Sequence, residues 1–221
     1  MIARLLGLFV CVVLLTAATC GVQCAPSFRG YTGLVVIPTA DTLNSGEFNF
    51  GVMTEDTGQF NANDIFTNYG PTDNLEVGFD SHLGIDQTER ETLINAKYKF
   101  LPETEDKAGV AFGLIDLTNE IQSTAYAVAS KSLVRRANIF DSDVTSIRGH
   151  IGIGGGRLNG LFFGLSAFAG NRVMFSFEWD SMDVNLGFRF TPMKGLRFHA
   201  ALFDVGGRDD LGMGVSYSKN Y

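Results

Sequence analysis

The sequence predicts an all-β protein: a transmembrane antiparallel up-and-down β-barrel of about twelve strands. Three observations predict it. Apolar and polar residues alternate with a period of two almost everywhere after residue 45. Glycine is abundant, at 26 of 221 residues, which suits few helices. Phenylalanine stands at 19 against 5 prolines, too aromatic for a disordered chain.

Residues 1–24 read as a secretory signal peptide, with Arg4 as the basic start and Leu5 to Ala18 as the apolar run. The run is short for a transmembrane helix. Cleavage after Cys20 and after Cys24 both remain open. Cys11, Cys20 and Cys24 all lie in this segment, so the mature chain is expected to carry no disulfide framework and no thiolate metal site. Without Arg4, 16 basic residues face 24 acidic ones, a net charge of −8. Such a balance argues against nucleic acid as a partner. Export, acidity and aromatic richness together fit the Gram-negative envelope.

Residues 25–45 come next. Gly30 and Gly33 permit tight turns or close backbone approach, Leu34 to Ile37 can extend, and Pro38 ends regular pairing. A barrel strand here would make the strand count odd, unusual for bacterial barrels. The segment is therefore expected at the periplasmic rim or folded into the lumen, the alternative being a simple N-terminal strand or arm.

Residues 46–221 form the barrel. Strands are expected near 46–54, 65–70, 75–82, 91–101, 107–116, 122–131, 146–154, 159–168, 172–180, 182–191, 195–204 and 209–219. The clearest pair is 172–190. A two-residue turn at Ser181–Met182 would set Trp179 opposite Val184, Phe177 opposite Leu186, Phe175 opposite Phe188 and Val173 opposite Phe190. Every pair on that face is apolar. Alternation alone fits a soluble sandwich as well as a membrane barrel. Three cues favour the membrane. The apolar face is rich in aromatics, with Tyr69, Phe100, Trp179, Phe190 and Tyr217 at strand ends. Tight turns at 72–74, 169–171 and 191–195 alternate with longer polar segments at 55–64 and 83–90. The C-terminal Tyr221, with Met213, Val215 and Tyr217 in phase, resembles a barrel-insertion signal. Segment 132–145, with Arg135, Arg136, Asp141 and Asp143, is expected as the longest periplasmic connection, either a partner-docking element or a solvated turn with a short helix.

The run Gly30-Tyr31-Thr32-Gly33-Leu34-Val35-Val36-Ile37-Pro38-Thr39-Ala40, followed by Gly46, resembles the opening motif of the YjbH family of outer-membrane proteins. The resemblance continues at Asn95 to Pro102, Gly156 to Phe162 and Asp183 to Gly187. It implies an outer-membrane barrel associated with exopolysaccharide production, here in a short, single-barrel version. The motif residues carried over are Gly30, Thr32, Gly33, Leu34, Pro38, Thr39 and Ala40.

Little chemistry is written into the inward face. Glu178, Asp180 and Asp183 could form a glycosidase pair or a calcium site, but read first as lumen and loop acids, with Asp180 and Asp183 in water. His150 and His199 fall on inward phases near Ser166 and Ser176 without a nucleophile motif, and His82 sits at a strand end. Glycines at 149–156 match no phosphate loop. Among inward charges, Glu47, Glu76, Asp80, Glu178 and Asp180 oppose Lys97, Lys99, Arg148, Arg189 and Arg197. That balance predicts cross-strand ion pairs filling a narrow lumen rather than a one-sign selective pore.

The expected function is non-enzymatic: an outer-membrane barrel assisting exopolysaccharide export or assembly. The alternative is a passive outer-membrane porin for small solutes. A barrel enzyme relying on His150 or His199 and a soluble periplasmic β-protein are further classes. No catalytic site, cofactor or metal is expected. The partners expected are outer-membrane lipid, and polysaccharide or periplasmic export proteins.

Overall fold

The computed structural model describes residues 24–56, 61–83, 90–139, 142–170 and 172–220. Twelve strands run β1 (Glu47–Asp56), β2 (Asn61–Thr72), β3 (Leu75–Leu83), β4 (Arg90–Leu101), β5 (Gly109–Ile115), β6 (Thr124–Ile139), β7 (Ser142–Gly154), β8 (Gly160–Ala169), β9 (Val173–Trp179), β10 (Val184–Met193), β11 (Leu196–Phe203) and β12 (Asp210–Asn220). Each pairs antiparallel with its sequence neighbour, and β1 pairs with β12, so the sheet closes into a barrel without a free edge. The signal segment, apart from Cys24, and the terminal Tyr221 lie outside the described residues.

The pleat decides which medium each face meets. Along β1 the exposed residues are Phe48, Phe50 and Val52, and the buried ones are Glu47, Asn49, Gly51 and Met53. On β9, Phe175 and Phe177 face outward while Glu178 is fully buried. Apolar side chains outside and polar ones inside reverse the soluble pattern. A closed barrel built this way has only a bilayer to cover its surface. The sandwich alternative is therefore ruled out. Aromatic pairs knit the outer face, among them Phe48 on Tyr69 at 4.4 Å, Phe163 with Trp179 at 5.4 Å and Phe175 with Phe188 at 5.3 Å.

The register expected for the β9–β10 hairpin is the one observed, from Trp179 opposite Val184 to Val173 opposite Phe190. Its turn places Ser181 at φ 89°, a conformation glycine would occupy more easily. Asp180 Oδ1 supports it by accepting from the Met182 and Asp183 amides at 3.1 and 2.9 Å. Asp180 and Asp183 are thus half-buried at the rim rather than free in water.

Two connections differ from expectation. Most of segment 55–64 is strand, since β1 runs to Asp56 and β2 starts at Asn61. The connection expected at 132–145 is likewise sheet: β6 and β7 pair from Tyr126–Gly154 down to Ile139–Ser142, with a register shift between Ser132 and Val134. Polar residues there masked the continuing period of two. This hairpin is on the same end of the barrel as the start of β1 and the end of β12, here termed the lower rim.

Candidate functional site: a segment seated in the lumen

Residues 25–43 fold inside the barrel, and Asn44 and Ser45 emerge exposed at the lower rim. Of the carried-over motif, Gly30, Thr32, Gly33, Leu34, Pro38, Thr39 and Ala40 are all buried there. The segment turns at Ser27–Gly30, where Gly30 has φ 85°, and again at Leu34–Ile37, where the Leu34 amide donates to the Ile37 carbonyl at 3.0 Å. Among the described residues its only bridges are internal, Pro26 with Thr32 and Gly33 with Pro38. It is not a thirteenth strand. A backbone buried without a ladder needs other partners, and the wall's side chains supply them.

Glu178 is the most heavily used. Its carboxylate accepts from three successive amides, Val35 at 2.9 Å, Val36 at 2.6 Å and Ile37 at 3.3 Å. Converging amides of this kind make an anion-binding concavity, and here the anion belongs to the wall. Glu76 does the same work lower down, accepting from the Thr32 amide at 2.9 Å, the Thr32 hydroxyl at 2.6 Å and the Leu43 amide at 3.0 Å. The cations take the carbonyls. Lys97 donates to the Thr32 and Asp41 carbonyls, and Arg189 to those of Pro26 at 3.0 Å, Gly33 at 3.2 Å and Leu34 at 3.4 Å. Arg148 grips Asp41 with two nitrogens at 2.7 and 3.0 Å and reaches Glu103 at 2.9 Å.

Of the cross-strand ion pairs their balance had suggested, Glu76 with Lys97 is present on β3 and β4, but the inward charges act chiefly on the segment. Lys97 and Glu76 face each other at 3.9 Å, yet both spend their best geometry on the segment. Arg197 donates to the Ser218 hydroxyl at 2.6 Å, and Lys99 lies half-buried near the lower rim. Several contacts carried no signal in the sequence. Ser130 accepts from the Ala40 amide at 2.9 Å, Asn68 donates to the Gly30 carbonyl at 2.7 Å, and Arg29 pairs with Glu55 at 3.1 Å. Small polar residues on inward phases are common in any barrel, so nothing distinguished these.

Apolar packing completes the seat. Tyr31, Leu34, Ile37 and Ala40 pack against Ala111, Ile115, Tyr126, Val128, Leu158 and Phe162. Phe28 and Val35 pack against Met53, Phe66, Ala201 and Phe203. Inward glycines make room: a Cβ on Gly164 would meet Leu34 and Ile37 at 2.8 Å, and one on Gly187 would meet Val35 at 2.7 Å.

The histidines are part of the frame. His150 bonds the hydroxyls of Ser130 at 2.8 Å and Ser166 at 3.1 Å. His199 accepts from Arg189 at 3.3 Å and bonds Ser216 at 2.8 Å. Among the described residues neither ring bonds a carboxylate, the orienting acid of a catalytic triad. Ser176 lies on β9 beside neither ring. The side chain of His82 lies outside the described residues.

Comparison with known proteins places the architecture. A KdgM porin aligns with a TM-score of 0.52 at 10% identity over 79% of this chain and 99% of that one. A KdgM porin in complex with disordered oligogalacturonate aligns with a TM-score of 0.50 at 9% identity over the same shares. The fold shared with them is a closed antiparallel outer-membrane barrel. No family model and no curated protein matches the sequence.

Proposed function

We propose that the chain is a non-enzymatic outer-membrane barrel of the porin class, whose passage is closed by its own N-terminal segment and opens to small solutes when that segment leaves its seat. The observation that carries this reading is how the segment is held. The ring of twelve strands is complete without it, and the segment shares no ladder with the wall. It can depart by exchanging side-chain contacts for water, without breaking the sheet. The solute class suggested by the oligogalacturonate in the neighbouring porin is an acidic oligosaccharide.

A second reading keeps the barrel shut and gives it a part in exopolysaccharide export or assembly, with polysaccharide or periplasmic export proteins as partners. The residues that resemble YjbH, Gly30 to Ala40, favour it, because they are the lumen segment itself.

Planar-bilayer conductance separates the two. The passage reading expects the full-length protein to be silent or brief in its openings, and a Glu76→Ala, Glu178→Ala variant to give steady open steps. Steady steps from the unaltered protein would refute closure by the segment. A silent variant whose segment has become protease-accessible would refute the passage and leave the assembly role.

A further inference from the structure

Above the seated segment, at the rim opposite the chain's lower end, the barrel holds a cavity of about 150 Å³. Its floor includes Tyr31, Val36 and Leu158, and its rim brings together Arg157 from the β7–β8 turn and Asp183 from the β9–β10 turn. The volume suits one sugar ring rather than a chain.

Most charged groups around it are already committed. Arg29 pairs with Glu55 at 3.1 Å and Asp64 at 3.8 Å. Asp180 supports its own turn and accepts from Asn185 at 3.0 Å. Asp204 accepts from the Arg208 amide at 2.9 Å and its guanidinium at 3.3 Å. Arg157 differs. Its backbone amide donates to the Thr124 hydroxyl at 2.8 Å, but among the described residues its guanidinium has no hydrogen-bond or ion-pair partner. It is half-buried beside Arg29, and burial together with that neighbouring charge lowers its proton affinity. Tyr31, Asp64 and Asp80 offset only part of that lowering, so the guanidinium can still take up an anion. At Asp183, on the same lining, the situation is reversed: burial and the nearby Asp180 and Asp204 push its carboxyl up from its ordinary value. That side repels anions and suits hydroxyl donors.

We propose that this mouth binds a single uronate-type sugar residue, its carboxylate on the Arg157 guanidinium and its ring hydroxyls toward Asp183. The site deepens the passage reading by naming what the outer mouth selects, and it rests on that reading for its role. Binding itself needs the segment seated, since Tyr31 and Val36 form the floor.

The test is saturation-transfer NMR on the detergent-solubilised full chain with D-glucuronate and D-glucose as probes. Glucuronate should bind and glucose far more weakly. Arg157→Gln should weaken glucuronate about tenfold. Its amide contact to Thr124 is unchanged by the substitution, so the turn should stand, and an unchanged heat-dependent gel mobility would show the barrel intact. Arg208→Gln should leave binding near its original level. Equal binding of the two sugars, absence of glucuronate binding, or an Arg157→Gln variant that binds as the parent does would each overturn the proposal. These outcomes are independent of conductance, so a failed passage and a failed mouth site are distinguishable.

Discussion

The carboxylate of Glu178 on β9 and the amide of Val36 in the lumen segment lie 2.6 Å apart, with the Val35 and Ile37 amides at 2.9 and 3.3 Å on the same two oxygens. One side chain thus satisfies three donors that have no ladder to join. Hydrogen bonds to a charged acceptor contribute about 1.5–3 kcal/mol each when the alternative is an unmet buried group. Glu178→Gln should therefore loosen the segment strongly, and its proteolytic release from folded barrels is the measurement. Release no faster than in the parent would show the triple contact to be dispensable.

Overfilling the seat should act like unlatching it. Gly164→Val places branched carbon where Leu34 and Ile37 already stand at 2.8 Å from a Cβ. Overpacking of this kind costs about 1–3 kcal/mol. The barrel itself should remain heat-modifiable on gels while open steps appear in bilayers, and Ile37→Ala added to Gly164→Val should restore silence.

At the lower end, Asp41 and Arg148 should be energetically coupled. Their two-point contact at 2.7 and 3.0 Å predicts a coupling of about 0.5–3 kcal/mol in a double-mutant cycle on Asp41→Asn and Arg148→Met, read from urea unfolding in micelles. Additive single effects would mean that Glu103, 2.9 Å from Arg148, takes over.

The loop after β5 should fail in acid. Asp116 is buried, yet its carboxylate accepts from the Glu120, Ile121 and Gln122 amides and from the Thr118 hydroxyl. Burial raises its pKa, but these donors outweigh it and hold the group below its ordinary 3.8. A depressed carboxyl stabilises the folded loop fully above the ordinary value and loses that contribution as pH falls through the folded one. Hydrogen exchange at 120–122, corrected for intrinsic rate, should stay protected down to about pH 4 and rise below it. Asp116→Asn should remove both the protection and its pH dependence.

Gly33 and Pro38 test the motif. A Cβ at Gly33 would strike the Ile37 carbonyl, and Gly33 bridges Pro38. Altering both should impair the protein's role while leaving membrane insertion intact. Normal exopolysaccharide output from such a variant would remove the motif from the export reading.

The wall was legible because its rule is local. Alternation on β9 and β10 set faces, register and turn together, and the same rule found all twelve strands, but not the polar start of β2 or the polar ends of β6 and β7 that meet in their hairpin. The site was legible only in part. Gly30 to Ala40 stood out as unlike strand sequence, and the inward acids and cations could be named. What they hold could not, because Glu178 meets Val35 across 143 residues of chain and no spacing encodes that encounter. Balanced charge suggested mutual pairing. The observed solution keeps one such pair, Glu76 with Lys97, and turns most of the charge onto a backbone, since that backbone brings buried amides and carbonyls with no ladder of their own.

The lumen segment also bears on the mechanics of the ring. Each strand is bonded to two neighbours, and a hoop with only nearest-neighbour links can be squeezed oval at little cost. The segment bonds Glu76 on β3, Ser130 on β6, Glu178 on β9 and Arg189 on β10, four points spread around the circumference. It works as the hub of a spoked wheel, so flattening the barrel along any diameter must stretch a spoke, and the roundness of the wall is set from its centre.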